Sequence, residues 1–141
     1  ILLITAAGAS FGAVLAASTL DDVLGETLAS LGLGIAVPFL VSAALKSAQG
    51  SSTVALVTTS TLLFPLLGSL GLDSPIGAVL AVLATGAGAM VVSHANDSFF
   101  WVVSQLSRIP VATAYRTLTP ATAVQGVAGF AAVWVLSLFL L

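Results

Sequence analysis

The sequence contains no cysteine and very little charge. Only 6% of its 141 residues are charged, whereas about a quarter are charged in an average soluble domain. The lack of cysteine excludes disulfides, thiolate metal ligands and cysteine nucleophiles, and three basic residues are too few for a nucleic-acid-binding face. Because 59% of the residues are hydrophobic, a soluble globular chain and a disordered chain are also excluded. The composition predicts an integral membrane protein.

Small residues are abundant in place of charged ones. Alanine, glycine, serine and threonine together account for 65 of the 141 residues. Such residues let helix backbones approach closely, and this packing replaces the hydrophobic driving force that is missing between helices in lipid. A single membrane anchor has no need of it. We therefore predict an all-α fold, a polytopic membrane helix bundle.

Charged residues divide the chain into five uncharged runs of 19 to 26 residues. Each run is close to the length of about 20 residues that spans a bilayer. The last one contains Thr119 and Pro120, a capping residue followed by a proline that suits the first helical turn. The predicted segments are a helix at 1–19, an interfacial segment at 20–32, a re-entrant hairpin at 33–70, a broken helix at 74–107 and a final span at 119–141.

The hairpin is predicted from two apolar arms that are too short to be spans. Leu33–Leu45 has 13 residues, about 20 Å of helix, whereas the hydrocarbon core is about 30 Å thick. The polar segment 46–53 follows, and a second apolar run begins at Val54. Such arms enter and leave the membrane on one side. The alternative is two ordinary spans joined by a surface loop, with Lys46 in water.

The broken helix is predicted from a polar interruption. Pro75 suits a first helical turn, and five of the six side chains in Ser93–Ser98 are polar before the apolar Phe99–Val103 resumes. An unwound middle of this kind is common in transporters. The alternative is a span that ends at the polar residues, followed by an interfacial aromatic stretch.

Basic residues indicate the orientation. Arg108 and Arg116 bracket the predicted loop before the final span. Basic loops favour the cytoplasmic side of a membrane. We therefore expect this loop to be cytoplasmic, and Asp73 and the acidic residues of segment 20–32 to lie outside.

His94 and Asp97 are the ionisable side chains of the predicted broken helix. Ionisable groups at membrane depth are costly, and they usually face a cavity that serves ions or substrates. Both groups can exchange protons, so we predict them as the proton-coupling residues. The alternative is structural: Asp97 caps the following half-helix by accepting a hydrogen bond from the amide of Phe99 or Phe100. One histidine and one aspartate are too few to predict a transition-metal site.

The polar segment at the predicted hairpin tip offers a site for an anion. Helix-start amides and serine or threonine hydroxyls bind anions, and Lys46 adds a positive charge beside them. We expect polar residues of the broken helix to face this segment across a cavity. The alternative is a solvated loop. The candidate substrate-binding residues are Lys46, Gln49, Gly50, Ser51, Ser52, Thr53, Asn96 and Ser98.

Several segments resemble the gluconate permease family. Ala48–Ala55 and Ser93–Trp101 look like two of its signature stretches, and Phe11–Ser18 and Thr85–Gly88 are similar to further family segments in the same order. The resemblance extends over essentially the whole chain, which corresponds to the C-terminal third or so of a complete permease. The chain departs from the family pattern at two positions, where the family usually has glycine and alanine; they are Phe99 and Ser52.

The resemblance implies a proton-coupled symporter for gluconate or a related small carboxylate, in the bacterial inner membrane with several membrane passes. It also implies one repeat of an inverted-repeat transporter, whose site is completed by the N-terminal part of the same protein. The expected partners are a small carboxylate, the lipid bilayer and that N-terminal part, with no nucleic acid. No cofactor is expected beyond the coupling proton; sodium and a homo-oligomeric state are left open.

Two other functions are compatible with these residues. A structural subunit of a larger membrane complex would use the polar clusters as buried contacts between helices, with no cavity beside them. An intramembrane hydrolase would use a serine nucleophile, His94 as base and Asp97 to orient it, but the sequence has no nucleophile-elbow motif to accompany them.

Overall fold

A computed structural model describes Ser10 and residues 32–141. The predicted helix 1–19 and interfacial segment 20–32 therefore lie outside the described residues, apart from Ser10 and Gly32. Residues 32–141 form five α-helices and no strand, as expected for an all-α bundle. The helices are α1 Ala36–Gln49, α2 Ser52–Leu63, α3 Pro75–Ala89, α4 Ser98–Leu106 and α5 Val111–Leu140.

Helices α1 and α2 form a hairpin with a two-residue tip, Gly50 and Ser51. Gly50 ends α1 in the left-handed conformation at φ 80°, which glycine adopts without a steric penalty. Ser51 begins α2, since its hydroxyl accepts a hydrogen bond from the amide of Val54 at 3.3 Å. The helix–tip–helix arrangement lies within the segment predicted as a hairpin; its depth in a membrane stays a prediction.

Helices α3 and α4 are the two parts of the interrupted helix. α3 begins as predicted, with Pro75 at its first position and the Ser74 hydroxyl accepting from the amide of Gly77 at 2.9 Å. Non-helical residues 90–97, called the break below, separate α3 from α4. The polar interruption in the sequence therefore corresponds to a real interruption of the helix.

Helix α5 begins earlier than predicted. It starts at Val111 and has 30 residues, so Thr119 and Pro120 lie inside it and do not open it. A proline inside a helix removes one amide donor, which membrane helices tolerate where neighbouring groups satisfy the freed carbonyl. Arg116 accordingly lies on a helix and not beside a loop. Within the described part of the chain, α5 is the one helix long and apolar enough to cross a bilayer.

Helix α3 lies at the centre of the described bundle and contacts α1, α2 and α5. Two glycines make these contacts close: a Cβ on Gly88 would overlap the backbone of α1, and one on Gly126 of α5 would overlap the end of α3. The rings of Phe39 and Phe130 stack between α1 and α5 with centroids 4.3 Å apart. Small residues thus bring the backbones together, as the composition predicts.

An apolar cavity of about 240 Å³ lies near the base of the hairpin. Its walls are almost entirely hydrocarbon, and it contains no charged side chain. We call it the apolar cavity. Its lining residues are Pro38, Ser60, Leu63, Phe64, Leu67, Ala78, Ala81, Val82 and Thr85.

Candidate functional site

The hairpin tip packs directly against the break. Gly50 is buried, and a Cβ built on it would overlap the backbone carbonyl of Asn96. The two segments that interrupt helices in the sequence therefore meet in the fold. Helix ends leave backbone donors and acceptors free, so their meeting places many polar groups in one small region.

A buried ion pair links these two segments. Nζ of Lys46 lies 2.5 Å from Oδ2 of Asp97 and also donates a hydrogen bond to the carbonyl of Gly50 at 2.8 Å. The two charged side chains are 2% and 5% exposed. Burial makes each charge dependent on the other, since removal of one partner leaves an uncompensated charge. The pair therefore fixes the hairpin tip to the break.

The Asp97 carboxylate has two further partners. Its Oδ1 accepts from the amide of Phe99 at 2.9 Å and so caps α4, and its Oδ2 also accepts from the hydroxyl of Ser93. The capping role considered for Asp97 is therefore present in the structure. His94 is not among the partners of this carboxylate, so the geometry does not support a histidine base oriented by Asp97.

Helix α5 satisfies the backbone of the break at Ser93. The hydroxyl of Thr122 accepts from the amide of Ser93 at 3.0 Å, and the hydroxyl of Thr119 donates to the carbonyl of Ser93 at 2.7 Å. Thr122 in turn donates to the carbonyl of Thr119 at 2.9 Å. Non-helical backbone at membrane depth requires such partners, and α5 supplies them here, a contribution not predicted from the sequence.

Aromatic side chains satisfy the break at Ala95. Its amide donates to the hydroxyl of Tyr115 at 3.3 Å, and its carbonyl accepts from Nε1 of Trp101 at 2.7 Å. Phe100 packs against both rings. Side chains from α4 and α5 thus hold the break in one conformation.

His94 and Asn96 both contact the end of α1. Nε2 of His94 lies 3.1 Å from the carbonyl oxygen of Ser47, and Nδ2 of Asn96 donates to the same oxygen at 2.9 Å. Because a carbonyl only accepts, Nε2 of His94 must carry the hydrogen in this contact. These bonds give the hairpin tip a second attachment to the break.

A polar cavity of about 150 Å³ opens beside the ion pair. Its walls come from α1, α2, the break, α4 and α5, so all parts of the described bundle except the body of α3 contribute. A structural subunit without any cavity at the polar cluster does not fit this arrangement. We call it the polar cavity; it is lined by Lys46, Ser52, Met90, Ser93, Asp97, Phe99, Thr122 and Gln125.

The structure brings some of the sequence-predicted residues together and leaves others at the edge. Lys46, Ser52 and Asp97 line the polar cavity. The hydroxyl of Ser51 is used as a helix cap, and the buried Gly50 presents its carbonyl to the lysine. The remaining candidates lie around the tip and the break but do not line the cavity; His94 is half-buried, and Gln49, Thr53, Asn96 and Ser98 are exposed.

Sequence reasoning missed the contribution of α5 to this cavity. Thr122 and Gln125 are three residues apart on a helix, which places them on one face, and both line the polar cavity. Two polar side chains in an otherwise apolar stretch were the available signal. Phe99 and Ser52, the two departures from the family pattern, also line this cavity.

Comparison with protein families gives one match that covers nearly the whole chain. The sequence model of the GntP family permeases matches residues 1–139. No solved structure matches the chain.

Individual relatives are also named as permeases or transporters. The inner membrane permease YgbN of Escherichia coli K12 is 38% identical over 135 residues, which are 95% of this chain and 29% of that protein. The gluconate permease of Pseudomonas aeruginosa is 35% identical over 141 residues, with 99% and 31% covered. The D-serine transporter DsdX of Escherichia coli K12 is 33% identical over 138 residues, with 97% and 30% covered. The chain spans about three tenths of the length of these relatives.

Proposed function

Because the chain belongs to the GntP family of permeases, we propose that it is part of a transporter that takes up gluconate or a related sugar acid together with a proton. Family membership confirms the resemblance noted in the motifs, and it makes the chain a membrane protein with a role in transport and not in catalysis. The geometry of the hairpin tip and the break supports the proposed substrate, coupling ion and site residues.

The observation that carries the proposal is the buried Lys46–Asp97 pair in the wall of the polar cavity. A carboxylate substrate inside a membrane is stabilised by a positively charged partner. Lys46 is a buried cation at a cavity, whereas Arg108 and Arg116 are exposed and do not line it. In the described structure, however, Lys46 is already paired with Asp97.

This competition provides a mechanism for coupling. A proton that neutralises Asp97 weakens its hold on Lys46, and the freed ammonium group can then pair with the substrate carboxylate. Proton and substrate thereby bind together, because a substrate anion cannot share one lysine with an ionised aspartate at low cost. His94 lies three residues from Asp97, at the edge of the site, and is proposed to pass the proton to it.

The size of the cavity fits one end of such a substrate. About 150 Å³ corresponds to roughly five water molecules at their liquid volume, enough for a carboxylate and its neighbouring groups. Complete ligand sites are larger, at about 300 Å³ or more. We therefore propose that another part of the full-length protein closes the site, as in transporters whose site lies between two repeats. Gln49, Ser51, Thr53, Asn96 and Ser98 would then form its rim.

Helix lengths support a site within the bilayer. Helices α1 to α4 have 14, 12, 15 and 9 residues, so none exceeds about 23 Å, less than the hydrocarbon core of about 30 Å. We propose that 33–70 is a re-entrant hairpin, that the hairpin tip and the break lie near the bilayer middle, and that the protein is a multi-pass protein of the bacterial inner membrane.

Asp97→Asn tests the coupling mechanism in the full-length protein. Asparagine keeps the cap on α4 but cannot be ionised. We expect the variant in proteoliposomes to exchange labelled gluconate for unlabelled gluconate, and to lose accumulation driven by a proton gradient. Accumulation at the wild-type level with an unchanged pH profile would show that Asp97 only caps the helix and that coupling occurs elsewhere.

A further inference from the structure

Gln125 is a polar side chain in the middle of an apolar helix. Gln125 is the one polar residue between positions 123 and 136 of α5; all the others there are aliphatic, aromatic or glycine. The Gln125 side chain is exposed, and its amide makes no hydrogen bond to any residue in the part of the chain that the structure describes, whereas the hydroxyls of Thr122 and Ser137 on the same helix do make hydrogen bonds. An amide without partners in an apolar environment costs free energy. Gln125 is therefore not explained by the packing of α5.

The location of Gln125 supplies the explanation. It lines the polar cavity together with Lys46 and Asp97. Its neighbour Gly126 lies in close contact with the end of α3, and Thr122, one turn earlier, bonds to the break. These contacts fix the backbone of α5 on both sides of Gln125. The backbone of Gln125 is thus held at a defined position beside the polar cavity, which its side chain lines.

We propose that Gln125 determines specificity by binding a hydroxyl group of the substrate. This inference rests on the proposed function of the polar cavity as a sugar-acid site. A hydroxyl group both donates and accepts, and a glutamine amide offers an acceptor and two donors on one group. The lysine fixes the carboxylate end of the substrate, and the amide then distinguishes a hydroxy acid from an acid without a hydroxyl at that position.

The test uses uptake of labelled gluconate by the full-length protein, competed by gluconate and by a set of gluconates that each lack one hydroxyl. Gln125→Met keeps the side-chain length and removes the amide. We expect this substitution to weaken gluconate binding about 2- to 10-fold, the effect of one neutral hydrogen bond. One deoxy analogue lacks the hydroxyl that Gln125 binds. The substitution should weaken the binding of this analogue less than about 2-fold, because loss of the hydroxyl and loss of the amide remove the same hydrogen bond and are not additive.

Gln105→Met is the matched control, since Gln105 is an exposed glutamine on α4 that does not line the polar cavity. It should leave all competition constants unchanged. If Gln125→Met weakens the binding of gluconate and of every deoxy analogue to the same extent, Gln125 has a structural role and the inference is overturned. Gln125→Asn keeps the amide, so restoration of the difference between analogues by this variant would support it.

Failure of the proposed function gives a different result. In that case the wild-type protein takes up neither labelled gluconate nor a labelled related sugar acid, and the inference is overturned together with the function on which it rests. A wild-type protein that transports gluconate but shows no selective change in Gln125→Met overturns the inference alone. Protein abundance in the membrane, measured for each variant, separates both results from loss of folding.

Discussion

The hairpin of α1 and α2 has a cavity near each end, and the two cavities differ in character. The apolar cavity near its base has about 240 Å³ and no charged side chain. The polar cavity near its tip has about 150 Å³ and a buried ion pair in its wall. Volume alone would place the functional site at the base. The charged and polar side chains in the wall of the polar cavity support the proposed site at the tip.

The difference follows from how the backbone groups at the two ends of the hairpin find partners. Around the apolar cavity they bond to one another, in the helices and in the turns that follow α2, where the amides of Leu66 and Leu67 donate to the carbonyls of Leu63 and Phe64; the surrounding side chains can therefore be hydrocarbon. At a helix end the free backbone groups need partners. The tip and the break bring two such regions together, and Lys46 and Asp97 each complete a helix end while they pair with each other. A polar site at this position therefore also stabilises the fold.

The largest expected effect separates the structural and functional roles of the ion pair. Lys46→Met leaves Asp97 buried without its partner, so we expect a loss of about 3–5 kcal/mol in the free energy of unfolding and no uptake. The double variant Lys46→Met with Asp97→Asn removes both charges. Thermal unfolding of the purified protein should show most of the stability restored, whereas uptake stays absent. Proton-dependent uptake by the double variant would show that the pair is structural only.

The next effect concerns the contact between the tip and the break. Gly50→Ala introduces a Cβ that overlaps the backbone of Asn96, and it also forces alanine into the left-handed conformation. Gly71→Ala is the matched control, since Gly71 has φ 69° but open space around it. Both should lose roughly 1–2 kcal/mol from backbone strain, and Gly50→Ala about 1–3 kcal/mol more from the overlap. Equal melting temperatures for the two variants would contradict the close contact.

A smaller effect is expected where α5 supports the break. Thr122→Val removes the acceptor for the buried amide of Ser93, which should cost about 1–3 kcal/mol. The amide hydrogen of Ser93 should also exchange with solvent faster than in the wild type, because it has lost its acceptor. Thr117→Val is the control, because the exposed Thr117 hydroxyl bonds, among the described residues, to Thr113 of its own helix alone; it should change stability by less than about 0.5 kcal/mol. Unchanged exchange at Ser93 in Thr122→Val would mean that α5 does not hold the break.

The smallest effect is expected at the base of the hairpin. Ala78→Leu adds hydrocarbon to the apolar cavity, which has room for it. Because the added side chain fills a cavity, stability should rise by about 0.5–2 kcal/mol, and gluconate uptake should stay within about twofold of the wild type. A loss of uptake comparable to that of Lys46→Met would reverse the distinction between the two cavities.

Much of the fold could be predicted from local signals. The polar residues at 46–53 and 93–98 predicted two interruptions, and helices end at both. Pro75 predicted the start of α3 correctly. Such signals succeed because a cap, a proline or a change of polarity acts on its own helical turn. The start of α5 was predicted eight residues too late, because Pro120, which suits a first helical turn, lies inside this helix.

The candidate site was only partly predictable, since its members are distant in sequence. Lys46 and Asp97 were each selected as candidates, but their pairing depends on contacts between residues 51 positions apart. Gln125 was not selected at all. A single amide on an apolar helix gives a weak sequence signal, and only the packing of α5 against α3 places it beside the ion pair.

The sequence by itself determined that the chain is an all-α membrane protein, which family it resembles and where its helices are interrupted. These properties depend on composition, on motifs and on neighbouring residues along the chain. The tertiary structure decided which interruptions meet, which charge neutralises Lys46 and which residues of α5 line the polar cavity. The physical reason is that helix ends must find partners for their free polar groups, and only close packing of the helices around α3 brings those partners within hydrogen-bonding distance.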